Sequence, residues 1–432
     1  MTSNAAQPGE AFVWIWLSGK TAPVVAGRVH AEDDHIVFNY GRSYLSNDNA
    51  IPIYAPELPL HRGAIVPEPP LEIANALRDA SPDAWGRRVI AHRLAGGQGG
   101  ANGIADLDEL TFMLRSGSDR IGALDFQASS RDYVPRESDN ATLERLLESA
   151  DRVDRGLPLA PELAEALQHG TAIGGARPKA LIRDGSAKYV AKFSSSTDTH
   201  SVVKAEFVAM RLAALCGLNV APVRLARALN KDVLLIERFD REPVETGWIR
   251  RAVVSALTLL GLDERFAAHA SYEALADIVR ARFVSPAETL AELFARMTFN
   301  ILVGNTDDHA RNHAAFWDGE RLTLTPAYDI CPQSRTGREA SQAMQIRGHE
   351  RRSQLSLCLA SANKFLLAEE RAVAIMKRQV AIIRSNWEPV CDEAELDDAD
   401  RRLLWRRQFL NDLAFEGLED RLAEVVQDLS SP

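Results

Sequence analysis

Cysteine is scarce in this chain, with four residues among 432, and Cys216, Cys331, Cys358 and Cys391 stand far apart. No CxxC pair is among them, so neither a disulfide framework nor a zinc knuckle is expected, and reduced thiols in cytosol fit better. Long apolar runs are missing too. The longest, residues 252–262, falls short of the roughly 20 residues that a membrane-spanning helix needs. Residues 1–10 carry neither the basic nor the apolar segment of a signal peptide, so the expectation is a cytoplasmic protein with no membrane partner. No repeat or extended low-complexity tract is present. A formal net charge of -10 argues against broad nonspecific binding to nucleic acid.

What is there is ordinary globular composition, 46% hydrophobic and 25% charged, in a chain longer than one core usually serves, so two or three domains are expected. Residues 11–65 read as short strands punctuated by Gly, Asn and Asp. Helical periodicity follows over 71–94, broken at Pro82. The glycine-rich stretch 96–103 is the first candidate boundary. Beyond it, apolar runs flank Asp184-Gly185 as a hairpin would. A helix is expected from Val202 to a stop at Gly217, and a buried strand over 233–237. After residue 241 the pattern turns mostly helical, and Leu290, Phe294, Met297 and Ile301 mark a helix ending at Gly304. The expected division is residues 1–95, 104–240 and 241–432. The expected class is α+β: a protein-kinase-like two-lobed fold with a small β-rich leading subdomain and a mostly helical C-terminal lobe.

The segment NTDDHARN at 305–312 carries the chemistry, together with Asp329 in TPAYD at 325–329. An Asp and an Asn five apart, then a second Asp after a hairpin centred on Asp318-Gly319, suit phosphoryl transfer, which needs positioning and charge neutralisation. Asp307 can orient a hydroxyl, while Asn312 and Asp329 offer the oxygen ligands that Mg²⁺ prefers. Taken alone, Asp307 and Asn312 could equally cap a helix. Gly174-Gly175 lets backbone N–H groups approach phosphate, although a glycine pair also makes a plain turn. It opens no Walker A loop, because Ala176 stands where that motif needs Lys. Lys192, on an apolar strand, can pair with nucleotide phosphates or simply face solvent, and Glu206 on the next helix can hold it or be exposed. Residues 233–239 can offer backbone groups to adenine, with Phe239 as an apolar wall. The order glycine loop, strand lysine, helix glutamate, hinge strand, catalytic Asp with Asn, and metal Asp is that of a protein-kinase-like enzyme.

These motifs, IGGARPKA at 173–180, IERFDR at 236–241, NTDDHARN and LTPAYDICPQ at 324–333, resemble the HipA-type serine/threonine kinases, the toxins of toxin–antitoxin pairs. The resemblance runs from about residue 10 to beyond 400. It implies Asp307 as catalytic base, Asp329 and Asn312 as metal ligands, and His309 as a nucleotide contact. It further implies Gly174, Gly175, Ala176, Arg177, Pro178 and Lys179 as the phosphate loop, Lys192 as the phosphate lysine, and Glu237, Arg238 and Phe239 as the adenine hinge. ATP and Mg²⁺ follow as cofactors. A protein substrate, with aminoacyl-tRNA synthetases as candidates, and a HipB-like DNA-binding antitoxin follow as partners, with DNA contacted through the antitoxin complex.

Three other readings compete. A small-molecule or lipid kinase shares such loops. A non-catalytic co-repressor subunit would use Arg87-Arg88 or the arginines around Trp405. A zinc hydrolase would use His309 and His313 but lacks the HExxH glutamate. The family often autophosphorylates a serine three residues before the second loop glycine, where this chain has Ala172 beside Thr171. No stoichiometric phosphate is therefore expected in this loop after incubation with Mg·ATP. Intact mass and peptide mapping check this, and an accumulating phospho-Thr171 would contradict it.

Overall fold

The structure is a computed structural model, and it describes residues 8–94, 107–137, 142–159, 177–195, 198, 200–335, 339–418 and 420–426. Two compact units alternate along the sequence. The first takes residues 1–197, 226–254 and 316–320, and the second 198–225, 255–315 and 321–432.

In the first unit, β1 (Glu10–Ile15), β2 (Val24–Glu32), β3 (His35–Tyr40), β4 (Ala64–Ile65) and β5 (Leu124–Gln127) form a sheet in the order β4-β3-β2-β1-β5. Its pairs are antiparallel, as expected where one strand follows another through short turns. The register slips between Val13 and Trp14. Gly27 sits at that slip because a Cβ there would lie 2.1 Å from the Asn39 carbonyl oxygen. Since β5 pairs with β1, the sheet continues past the glycine-rich stretch expected to close it. The reason is physical: the free edge of β1 needs hydrogen-bond partners, and the chain returns after residue 123 to supply them.

A second sheet has the order β6-β7-β9-β8, from β6 (Lys179–Asp184), β7 (Ala187–Phe193), β8 (Val223–Ala228) and β9 (Lys231–Glu237). The β6–β7 hairpin turns at Asp184↔Ala187, as Asp184-Gly185 predicts. Trp85 and Val89 from the helix Ala84–Leu94, and Leu146, Leu147, Ala150 and Val153 from the helix Leu143–Asp154, bury against Ala180, Ala191, Phe193, Val233 and Leu235. Those helical positions recur every three to four residues, which gives each helix one apolar face. The Trp85 indole N–H donates to the Lys179 carbonyl at 2.9 Å, so the buried ring leaves no polar atom unmatched.

Residues after 241 are less helical than their pattern suggests. β10 (Arg241–Val244), β11 (Gly247–Arg250) and β12 (Val253–Ser255) precede the next helix. Their Arg, Glu and Pro side chains hide the alternation because much of β10 and β11 faces solvent.

Buried charge holds the first unit together. Asp119 receives Lys188 Nζ at 2.7 Å, Arg238 Nη1 at 3.0 Å and Arg241 Nε at 3.0 Å. Asp240 receives Arg238 Nη2 at 2.8 Å, Arg241 Nη1 at 3.0 Å and the Gly122 N–H at 2.7 Å. Nearby, Asp125 holds Arg120 Nε at 2.8 Å and Arg136 Nη2 at 3.0 Å. The loop before β5 is thus bound through ions to β7 and to the chain following β9. Burial opposes ionisation of Asp119, but Arg238, Arg241, Lys188 and Arg250 outweigh it and hold the carboxyl well below its usual range.

The second unit is helical: Val202–Leu215, Tyr272–Arg282, Pro286–Leu302 and the long Glu369–Glu393 are its main helices. Leu290, Phe294, Met297 and Ile301 are all buried, as their spacing predicts. Thr298 Oγ1 donates to Gln379 Oε1 at 2.8 Å, and Gln379 Nε2 donates to the Ala295 carbonyl at 2.7 Å. This polar pair fixes the register of two helices that apolar packing alone would let slide. Among the described residues no helix is long and apolar enough to cross a membrane. All four cysteines are free and buried.

Replacing Asp119 by Asn leaves its cations without a counter-charge. The change is expected to lower the unfolding free energy at pH 7 by about 3–5 kcal/mol. The contribution of a depressed carboxyl is present above the ordinary Asp range and is lost as pH falls through the folded-state value. Parent and variant should therefore converge in strong acid. Denaturant unfolding across a pH series checks both points.

Candidate active site

The helix Pro286–Leu302 delivers the loop. Proline at its first turn sacrifices no hydrogen bond. Its end is a Schellman turn: the Asn305 N–H bonds the Asn300 carbonyl at 2.9 Å and the Gly304 N–H bonds that of Ile301 at 3.1 Å. Gly304 has φ +69°, and a Cβ there would meet the Gln408 carbonyl oxygen at 2.8 Å. Leu410 then donates its N–H to the Leu302 carbonyl at 2.7 Å, satisfying a group that a helix end leaves open.

From this exit the loop folds on itself. His309 N–H reaches the Asp307 carbonyl at 2.8 Å, and Asn312 N–H reaches that of His309 at 2.8 Å. Asn312 Nδ2 also donates to the Asp307 carbonyl, at 3.1 Å. With its nitrogen committed, the Asn312 amide presents Oδ1 as its acceptor, the atom a hard cation requires. Asn305 Nδ2 donates to Asn300 Oδ1 at 3.1 Å and to the Asp329 carbonyl at 3.4 Å, joining the loop to the backbone of the second aspartate. Residues 342–343 brace the same turn: Gln342 Nε2 bonds the Asn305 carbonyl and the Ala343 N–H bonds that of Thr306, each at 3.0 Å.

Asp329 arrives by the expected hairpin of β13 (Ala314–Trp317) and β14 (Leu322–Leu324). Arg296, 2% exposed, donates to the Thr325 carbonyl at 2.9 Å and holds the returning chain. The Tyr328 hydroxyl donates to the Arg311 carbonyl at 2.6 Å. Asp329 adopts φ +58°, a left-handed conformation that Asp tolerates better than most residues.

Asp307 presents its side chain at the surface. Surrounding protein still displaces enough water to push its carboxyl above the usual value; His309 opposes this, and the Asp329 and Asp308 charges add to it. Two carboxylates close enough to repel, with an amide on the same loop as Asp307, fit a divalent cation by charge and donor type.

Asp308 is buried, unlike its neighbour. Its Oδ1 lies 2.9 Å from His313 Nε2, and its Oδ2 accepts the Tyr272 hydroxyl. Burial first, and the Asp308 charge next, hold the Tyr272 phenol protonated well beyond its usual range, while a bond from Asn300 acts the other way. His313 therefore belongs to a protein pair rather than to a zinc site. Among the described residues no three His, Cys, Asp or Glu side chains are grouped to bind a metal.

The remaining expected residues, apart from Glu206, lie in the first unit or outside the described residues. Gly174, Gly175 and Ala176, like Thr171 and Ala172, belong to the latter. Lys179, 5% exposed, and Lys192, 8% exposed, are register partners across β6 and β7, so Lys192 is not a solvated strand lysine. Glu237 and Phe239 are half-buried, and the Phe239 ring meets Phe316 edge-on at 5.8 Å. The Arg238 side chain is consumed by Asp119 and Asp240, and its N–H donates to the Lys188 carbonyl at 2.8 Å, which leaves its own carbonyl as the group to offer. In the second unit Glu206 is 2% exposed, so it is no surface helix glutamate. Sequence alone gives no role to Tyr272, to Asn300 or to Asn305 at the head of the motif, and it offers His313 only as a metal candidate. The one local signal is an Asp and a His that directly follow Asp307 and Asn312.

An Asp/Asn loop leaving a helix, a hairpin returning a second Asp, and an antiparallel sheet with buried lysines are elements expected of a kinase-like fold. The sequence matches the HipA-like C-terminal domain over residues 171–387, half of the chain, and the HipA N-terminal domain over residues 15–127. The protein belongs to the HipA family of serine/threonine kinases. Y4mE of Sinorhizobium fredii, named as a kinase, is 26% identical over 346 residues, 73% of this chain and 76% of that protein. The serine/threonine-protein kinase toxin HipA of Shewanella oneidensis is 30% identical over 165 residues, a match spanning 34% of this chain and 36% of that one. A solved chain from the S. oneidensis MR-1 toxin–antitoxin complex of HipA, HipB and operator DNA shares the fold. Its TM-score is 0.69 at 18% identity over 96% of this chain and 97% of that one.

Gly304→Ala combines a left-handed backbone with a clash against Gln408 backbone atoms. It is expected to cost more than about 1 kcal/mol, measured by denaturant unfolding against the parent.

Proposed function

We propose that this chain is an ATP- and Mg²⁺-dependent kinase that phosphorylates serine or threonine on a cytosolic protein and acts as the toxin of a toxin–antitoxin pair. The observation that carries the reading is the joining of Asp307, Asn312 and Asp329 through Asn312 Nδ2 and Asn305 Nδ2, with the two carboxylates in electrostatic reach. In this reading Asp307 accepts a hydrogen bond from the acceptor hydroxyl and aims its oxygen at the γ-phosphorus. As the O–P bond forms and the bond to the β-phosphate oxygen breaks, the hydroxyl proton passes to the Asp307 carboxylate. Its raised proton affinity suits it to that role. Asn312 Oδ1 and the Asp329 carboxylate would hold Mg²⁺, which supplies neutralisation of phosphate charge. Lys192, and Gly174 through Lys179, are assigned to the phosphates, His309 to the nucleotide, and the backbone of Glu237, Arg238 and Phe239 to adenine.

A HipB-like DNA-binding antitoxin is the partner that the family and the solved complex suggest, with DNA reached through that antitoxin. An aminoacyl-tRNA synthetase is a candidate substrate. A cytoplasmic location belongs to the same reading.

With γ-labelled ATP and Mg²⁺, label is expected on Ser or Thr of a protein in cell extract, and not on lipid or sugar substrates. Asp307→Asn is expected to lower transfer by about 10²–10⁴-fold. Label confined to sugars or lipids, or ATP turnover indifferent to Asp307→Asn, would overturn the assignment. Phosphoproteomics of cells briefly expressing the chain, beside Asp307→Ala, identifies the target.

A further inference from the structure

We propose that Asp308, His313 and Tyr272 act as positioning residues that hold Asp307 and Asn312 in working geometry; this rests on the kinase reading above. Asp308 directly follows Asp307, and His313 directly follows Asn312. The 2.9 Å contact between Asp308 Oδ1 and His313 Nε2 therefore staples the loop one residue after each of its two functional side chains. Tyr272 comes from another helix and anchors the staple to the body of the unit, its hydroxyl bonding Asp308 Oδ2 and lying 3.1 Å from His313 Nε2.

The hydrogen-bond accounting supports a single arrangement. Among the described residues His313 Nδ1 is buried and meets no hydrogen-bond partner. The ring nitrogen with a partner is Nε2, and an N–H there is what the Asp308 carboxylate can accept from. Both Asp308 oxygens are then satisfied, by one hydroxyl and one imidazole. Asn300 donates to the Tyr272 oxygen and accepts from Asn305, which in turn holds the Asp329 carbonyl. One connected set of buried polar groups thus reaches the backbone beside Asp307, Asn312 and Asp329. A loop fixed only by apolar packing would not specify those three directions together.

Displacing a reacting group by about 1 Å can cost on the order of 10²-fold in rate. Tyr272→Phe, which keeps the ring, and His313→Leu are expected to lower kcat by about 10- to 100-fold while leaving the KM for ATP within about threefold of the parent. His313→Gln restores an N–H near the Nε2 position and is expected to recover most of the loss. Measurements are made on the full chain with Mg·ATP, well below each variant's Tm, beside an Asp307→Asn control. A merely structural role would lower Tm without changing the kcat of folded protein. If folded Tyr272→Phe keeps kcat within about twofold of the parent, the inference is overturned, whether or not His313→Leu folds. A parent whose turnover Asp307→Asn does not reduce overturns the kinase reading itself, and this inference with it.

Discussion

Charge removed from water must be answered where it lies, and both units of this protein are organised by that demand. In the second, the buried Asp308 carboxylate takes one hydrogen bond from Tyr272 and another from His313. The segment between Asp308 and His313 is short and mostly polar, with Ala310 its one buried apolar side chain. Its shape comes from that carboxylate and from backbone bonds that close around it. Asp307 can then stand exposed, because its neighbour is not.

The first unit meets the same demand with a denser arrangement. Asp119 and Asp240 face Lys188, Arg238 and Arg241, drawn from the loop before β5, from β7 and from the chain after β9. Such networks contribute less net stability than their Coulomb energies suggest, since desolvation consumes most of the gain. Their value is directional. Arg238 forks onto two carboxylates and two carbonyls, which pins the backbone next to Glu237 and Phe239. The strand proposed to meet adenine is held from behind by the leading module of the chain.

Much of this was legible in the sequence where the signal is local. Turn chemistry at Asp184-Gly185 and Asp318-Gly319, the stripe from Leu290 to Ile301, and the glycine stops at Gly217 and Gly304 each act over a few residues. The structure follows them. Long-range pairings left no such mark: β5 closes the first sheet across more than a hundred residues of chain. β10 and β11 escaped because polar side chains on a solvent-facing hairpin show no apolar alternation. The two adjacent aspartates look alike in sequence, and their opposite burial is set by Tyr272, 36 residues earlier. Periodicity reports which face is apolar, not which distant donor a carboxylate will meet.

The meeting of Gly304 with Gln408, and of Leu302 with Leu410, carries a consequence for synthesis. A growing polypeptide leaves the ribosome from its N-terminus, and early portions begin folding while later ones are still being made. The helix exit that launches the Asp307–Asn312 loop lacks its final cover until Leu410 has emerged. A nascent chain thus completes this helix exit only after the whole stretch from Leu302 to Leu410 has been made.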